Sequence, residues 1–174
     1  MSAENSILIH RESEFSWIRC EGKGSFLNSP ALKKWADGEI DDGAGCVVVD
    51  LAACTGMDST FMGTLAGLAM RLMKQASGAL EIAEPGERNR KSLEDLGLDA
   101  LMTIEPENAL WGEQLDRVRS QLKPYDGASN KPANAPAVLE AHQKLCEADD
   151  RNTEKFGTVL DFLEAEVKAK KDSK

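Results

Sequence analysis

Several residue types are scarce in this chain of 174 residues, and each scarcity removes a class of function. It has two histidines, His10 and His142, far apart in sequence. A zinc centre needs ligands clustered at characteristic spacings, and no such cluster is present. The four cysteines, Cys20, Cys46, Cys54 and Cys146, include no C-x-x-C pair. Three of them lie in apolar, strand-like surroundings, which reads as reduced, buried thiols in a cytosolic protein. There is no Gly-x-Ser-x-Gly nucleophile turn and no phosphate-loop motif, so a serine hydrolase or a nucleotide site has no sequence support. The longest uncharged run, Ser59 to Met70, falls well short of the about 20 residues that cross a bilayer. The first residues lack a basic segment followed by a long apolar one, so no secretory leader is expected. Positive charge is also short. Against 30 acidic residues stand 21 Lys and Arg, for a net charge of −9, which gives no electrostatic basis for direct nucleic-acid binding. The basic tail from Lys168 to Lys174 is short and terminal and reads as a solvated end. What remains is a cytoplasmic protein with no membrane part, metal or cofactor of its own.

The chain does hold an α/β pattern. Ile7-Leu8-Ile9 and Phe15 to Cys20 read as two short strands, with Phe15 and Trp17 on one face. Ser29-Pro30 reads as a helix start, Ser as N-cap and Pro in the first turn. Cys46 to Leu51 is the strongest strand. It is apolar at consecutive positions, so both its faces should be covered. Cys54 to Thr60 reads as a tight turn, after which Asp58 caps a helix from Ser59 to about Gln75. Phe61, Leu65, Leu68 and Leu72 fall on one stripe of that helix, and Met62, Ala66, Ala69 and Met73 on the next. Gly63 and Gly67 lie four apart on a third face. Each costs about 1 kcal/mol relative to Ala in a helix interior, so something must pack closely there, either the domain's own sheet or a partner. Ala79 to Ala83 is a further strand, Arg88 to Leu96 a short helix closed by Gly97, and Leu101 to Ile104 a last strand. The order β-β-α-β-α-β-α-β implies one mixed β-sheet with helices packed on it.

After residue 106 the composition changes. Residues 107–134, rich in Pro, Ser, Asn and Lys, read as a linker with a short helix between Leu110 and Leu122. Trp111 there docks the extension onto the domain or binds a partner. Residues 135–171 read as a C-terminal helical extension, with an apolar stripe from Val138 to Val167. Asp149, Asp150 and Asn152 interrupt it, which favours two helices over one long one. His142 reads as a seam residue that pairs with Glu140 or a solvent group.

The strand Val47-Val48-Val49-Asp50-Leu51 followed by Asp58-Ser59-Thr60-Phe61-Met62-Gly63 resembles the STAS family, the sulfate transporter and anti-sigma factor antagonist domain. The family's turn runs roughly Asp-Ser-Ser-Gly-Leu-Gly. Asp58, Ser59 and Gly63 match it, Thr60 is a conservative change, and Phe61 stands where the family has its first glycine. Gly24 to Pro30 resembles the family's strand-to-helix passage, and Leu93 to Leu98 its last helix followed by Gly-Leu. The resemblance covers about residues 5–105, within a domain drawn at 1–106.

That resemblance implies a non-enzymatic, STAS-like anti-sigma factor antagonist in signalling and transcription regulation. It implies a partner that is at once a serine protein kinase and an anti-sigma factor, which phosphorylates Ser59, with Thr60 as the alternative acceptor. A PP2C-type phosphatase would reverse the modification. The docking surface would comprise Asp58, Ser59, Thr60, Met62 and Gly63. Magnesium and ATP come with the kinase, so the domain needs no cofactor. A second reading is a scaffold or oligomerisation module in a stress-signalling complex, forming a homodimer through the C-terminal helices.

Overall fold

The structure, a computed structural model, describes residues 5–125 and 131–172. Its elements in chain order are β1 (Ser6–Arg11), β2 (Ser16–Gly24), α1 (Ser29–Asp41), β3 (Cys46–Asp50), β4 (Cys54–Met57), α2 (Ser59–Met73), β5 (Ala79–Ala83), α3 (Gly86–Asp95), β6 (Thr103–Ile104), α4 (Leu115–Ser120), β7 (Lys123–Pro124), α5 (Ala135–Ala148) and α6 (Arg151–Asp172). The strands form one mixed sheet in the order β6-β5-β3-β2-β1-β7, with β4 pairing off that path onto β2. From β2 through β3 and β5 to β6 the pairing is parallel, while β1 runs antiparallel to both β2 and β7.

The alternation of side chains across the sheet explains why β3 is apolar throughout. Ile18, Val47, Val49 and Ile82 point to one face, into the main core with Leu32, Phe61, Leu65, Leu68 and Leu72 of α1 and α2. Trp17, Val48 and Ala83 point to the other face. That second face is covered by the segment expected as a linker. The Trp111 ring stands edge-on to Trp17 at 5.3 Å and 78°, and its Nε1–H donates to Glu81 Oε1 at 2.8 Å. Val118 of α4 is buried beside it, and β7 then adds to the sheet next to β1. Residues 126–130, also part of that expected linker, lie outside the described residues.

Three local expectations are corrected. Asn28, not Ser29, stands at the boundary of α1, and Ser29 is its first residue. The Asn28 amide accepts from Ser25 N–H and donates to the Lys23 carbonyl, so it organises the loop instead of capping the helix. Part of the tight turn is the strand β4, paired in parallel with Gly22–Gly24. Four residues containing a glycine are too few to show a period of two. The last strand shortens to Thr103–Ile104 because Leu98–Ala100 winds into a 3₁₀ turn behind Gly97, whose φ of 72° suits glycine. The C-terminal extension is two helices. Asp149 between them is extended (φ −155°, ψ 123°), and the helices fold back so that His142 of α5 meets Phe156 of α6 at 5.3 Å.

The burial of Trp111 has a measurable consequence. Trp111→Ala removes a buried ring and the indole N–H that Glu81 accepts, so unfolding should cost about 3–5 kcal/mol less. A urea midpoint left unchanged would mean that residues 107–125 are not part of the cooperative unit.

Candidate functional site

The start of α2 is set by one carboxylate. Asp58 is extended (φ −91°, ψ 173°), and its Oδ1 accepts from Phe61 N–H at 2.8 Å, which satisfies an orphan donor of the first turn. Its Oδ2 accepts from Phe26 N–H at 2.9 Å, so the same side chain ties the loop between β2 and α1 to the helix start. Phe61, which departs from the family's glycine, faces the core. Its ring lies on Gly24, where a Cβ would come within 2.8 Å of it. The substitution is thus taken up inside the molecule and leaves the outer face of the turn alone.

Of the residues expected to form the docking surface, Thr60, Met62 and Gly63 are buried, whereas Asp58 and Ser59 are half-buried. The cover over Gly63 is α5. A Cβ on Gly63 would sit 2.2 Å from the Ala141 carbonyl oxygen, and one on Gly67 would sit 3.4 Å from Lys144 Cγ. The close packing expected against these two glycines therefore comes from the chain's own extension, neither the sheet nor a partner.

Ser59 itself meets α5. Its Oγ lies 2.9 Å from His142 Nε2, and His142 Nδ1 lies 2.7 Å from the Val138 carbonyl. A carbonyl only accepts, so Nδ1 carries the proton, and in the neutral ring Nε2 accepts from the Ser59 hydroxyl. His142 is 4% exposed and packs edge-on to Phe156. The expected pairing with Glu140 or solvent is replaced by this contact. A link across 83 residues of chain leaves no mark on local sequence.

A serine bonded to an imidazole invites a catalytic reading, since nucleophilic serines need a base held by a third group. The geometry gives this little room. The third group is a neutral carbonyl, which orients the ring but supplies no charge against an imidazolium. The neighbouring groove of about 390 Å³ between α1, α2 and α5 is lined by residues such as Gly63, Thr64, Arg71 and Lys144, and includes neither Ser59 nor His142. Cys20 and Cys46 are no better placed as nucleophiles. Cys20 is pushed up by its hydrogen bond with Cys54 and by burial, and Cys46 is pushed up to about 12 by burial and by Glu81, whereas the same hydrogen bond draws the Cys54 thiol down. Among the described residues no group of three or more His, Cys, Asp or Glu is placed to hold a metal ion. No described helix is long and apolar enough to cross a membrane.

One surface feature escaped the sequence reading. Phe26 and Leu27, 43% and 52% exposed, project from the loop that Asp58 holds, next to the half-buried serine. Two consecutive apolar residues between a strand and a Ser-Pro helix start were the available signal. They read there only as part of the family's strand-to-helix passage.

A family model described as STAS domain matches residues 6–109. A comparison with curated proteins gives no match. Among solved structures, an anti-sigma factor antagonist from Mycobacterium paratuberculosis superposes with a TM-score of 0.53 at 22% identity, covering 66% of this chain and 93% of that one. A putative anti-sigma factor antagonist from Thermotoga maritima gives 0.53 at 18% identity, over 64% and 92%. The Bacillus cell fate determinant SpoIIAA, in its phosphorylated form, gives 0.50 at 22% identity, over 66% and 100%. At these identities the likeness is one of fold. The family match ends before α4, so α5 and its histidine lie outside it.

The Ser59–His142 bond can be tested by its removal. Ser59→Ala leaves Nε2 buried without a donor, at a cost of about 1–3 kcal/mol. The loss should fall mainly on α5, read as faster amide exchange over residues 135–148. Unchanged exchange there would show that the bond does not hold the helix.

Proposed function

The chain belongs to the STAS domain family, and from that premise we propose that it is a non-enzymatic regulatory binding protein, an anti-sigma factor antagonist switched by phosphate on Ser59. The partner is a protein that acts both as serine kinase and as anti-sigma factor, with a PP2C-type phosphatase restoring the hydroxyl. The setting is cytoplasmic. The observation that carries this reading is the position of Ser59 at the first residue of a capped helix, beside the exposed Phe26-Leu27 pair. The solved structures with this fold include anti-sigma factor antagonists, one of them in a phosphorylated form. Thr60, which is buried, is the poorer acceptor.

The physical chemistry suits a switch. The kinase moves the γ-phosphoryl of ATP to Ser59 Oγ, the hydroxyl proton passes to the kinase's base, and ADP leaves. The phosphate adds about −1.5 to −2 charges at the surface. A helix N-terminus favours negative charge by about 0.3–1 kcal/mol, so the fold tolerates the modification. A partner that packs apolar or acidic groups over Phe26, Leu27 and Asp58 is repelled by it. Incubation with a serine kinase of the anti-sigma factor class and magnesium–ATP should add one phosphate to the wild type and none to Ser59→Ala. It should also weaken binding at least about tenfold, or about 1.4 kcal/mol. A phosphate that still enters Ser59→Ala, or that leaves affinity unchanged, would sink the reading.

A second reading, a homodimerising scaffold, rests on α6. Phe162 is 68% exposed, and Val159, one turn earlier, is also exposed. Sedimentation of the full chain beside Phe162→Ser decides it. A dimer lost in the variant supports this role, and monomers in both remove it.

A further inference from the structure

The helix α5 lies where a partner of Ser59 would have to lie. The Ser59 hydroxyl is bonded to His142, and the backbone of α5 touches α2 at Gly63 so closely that no side chain fits between. A kinase must bring an attacking hydroxyl into line with a phosphoryl group, free of competing bonds and with room on that side. A half-buried hydroxyl already engaged by an imidazole meets neither condition. Adding a phosphate there would also put its oxygens where the imidazole now sits.

The element that covers Ser59 lies at the periphery of the fold. Of the 14 residues of α5 only Ala141, His142 and Leu145 are buried, and of the 22 of α6 only Asn152 and Leu163. Helices at the periphery, with most of their residues outside the core, open at a lower free energy than the core strands beneath them. Polar anchors stand at each end. Ala133 N–H donates to the Phe26 carbonyl at 2.7 Å, and the Asn152 amide donates to the Leu96 and Leu145 carbonyls at 2.9 and 2.7 Å. The first of these joins the approach to α5 to the Phe26-Leu27 loop, so a partner on that loop meets the cover directly.

We propose that α5, backed by α6, is a cap built into the chain. It occupies in cis the Ser59–Gly63–Gly67 face of α2, and the partner and the cap exclude one another. The partner that fits the vacated face presents a helix with small residues at the Gly63 contact, as α5 presents Ala141. This rests on the reading of Ser59 as the switch residue, but its test needs no kinase.

Gly63→Ala in the full chain places a methyl group against the Ala141 carbonyl while improving the helix propensity of α2. Combined with Ser59→Cys, it lets alkylation at position 59 be followed by peptide mapping after brief iodoacetamide treatment. Lifting the cap should raise amide exchange over residues 135–148 and alkylation at position 59 at least about tenfold each, with β2, β3 and β5 still protected. Exchange that does not rise, or that rises while alkylation at position 59 stays as slow as with Gly63 intact, overturns the proposal. Should Gly63→Ala fail to fold, His142→Ala in the same Ser59→Cys chain releases the latch without touching the α2 backbone, and the same two rates decide. A cap that lifts in these variants while wild-type Ser59 refuses phosphate from the kinase would leave the cap standing and remove the switch.

Discussion

Everything about the candidate site depends on one missing side chain. Gly63 lets the α5 backbone come to the surface of α2, with the Ala141 carbonyl where a Cβ would be. From that contact the neighbouring positions follow by helical geometry. His142, the next residue, faces the first turn of α2 and reaches Ser59, while Lys144 lies over Gly67 one turn further on. Leu145 then enters the main core, and Asn152 closes the corner on the Leu96 carbonyl. Two glycines in the interior of α2 cost about 2 kcal/mol of helix propensity. Their use is the close approach they permit, which places an imidazole against a hydroxyl at the helix start.

The sheet beneath imposes a second constraint. A strand apolar on both faces must be covered on both, and here α1 and α2 take one side while residues 109–122 take the other. Asp50 joins the two. Its carboxylate is 0% exposed and accepts from Trp17 Nε1, from Arg19, from Arg119 and from Ala52 N–H. Burying a carboxylate still costs several kcal/mol after relaxation, and the two guanidiniums and two N–H donors offset that cost. Such a cluster adds little net stability. It does make the docking of α4 specific, because Arg119 reaches its partner only when α4 lies across the end of β3.

What could be read from the sequence was local. The capped start of α2 was legible because Asp58 and Phe61 stand three residues apart, and an N-cap is a short-range device. The mixed sheet was legible because an uninterrupted Val run needs cover on both faces. The two-helix extension was legible because Asp149, Asp150 and Asn152 break an apolar stripe. The unread features are those that depend on distant chain. β4 has no pattern of its own and exists because β2 offers it an edge. Residues 107–125 have the composition of a linker, and only Trp17 on the far face of the sheet gives Trp111 a place to go. The two glycines showed that something approaches α2 closely, but a small residue records that a neighbour exists and not which one. His142 had a side chain suited to many roles, and its role was set by a serine 83 residues earlier.

A cap held in the same chain changes the energetics of recognition. Its encounter with α2 is intramolecular, so it competes at a high effective concentration, of millimolar order for short connections. A partner that needs the same face binds only the open fraction, and its apparent dissociation constant rises by the inverse of that fraction. If about one molecule in a hundred were open, affinity would fall about a hundredfold, or roughly 2.7 kcal/mol. Whatever weakens the His142–Ser59 bond or the Gly63 contact raises the open fraction and returns that affinity. On the proposed function the same equilibrium would govern a kinase's access to the hydroxyl, because both events need α5 to leave. On that proposal, a phosphate added to Ser59 would bear on both as well. It takes the space of the imidazole and the space of the partner, so its effect on binding is the sum of a repelled partner and a displaced cap. These two terms have opposite signs, and the strength with which α5 is held decides how sharp a switch the serine can be.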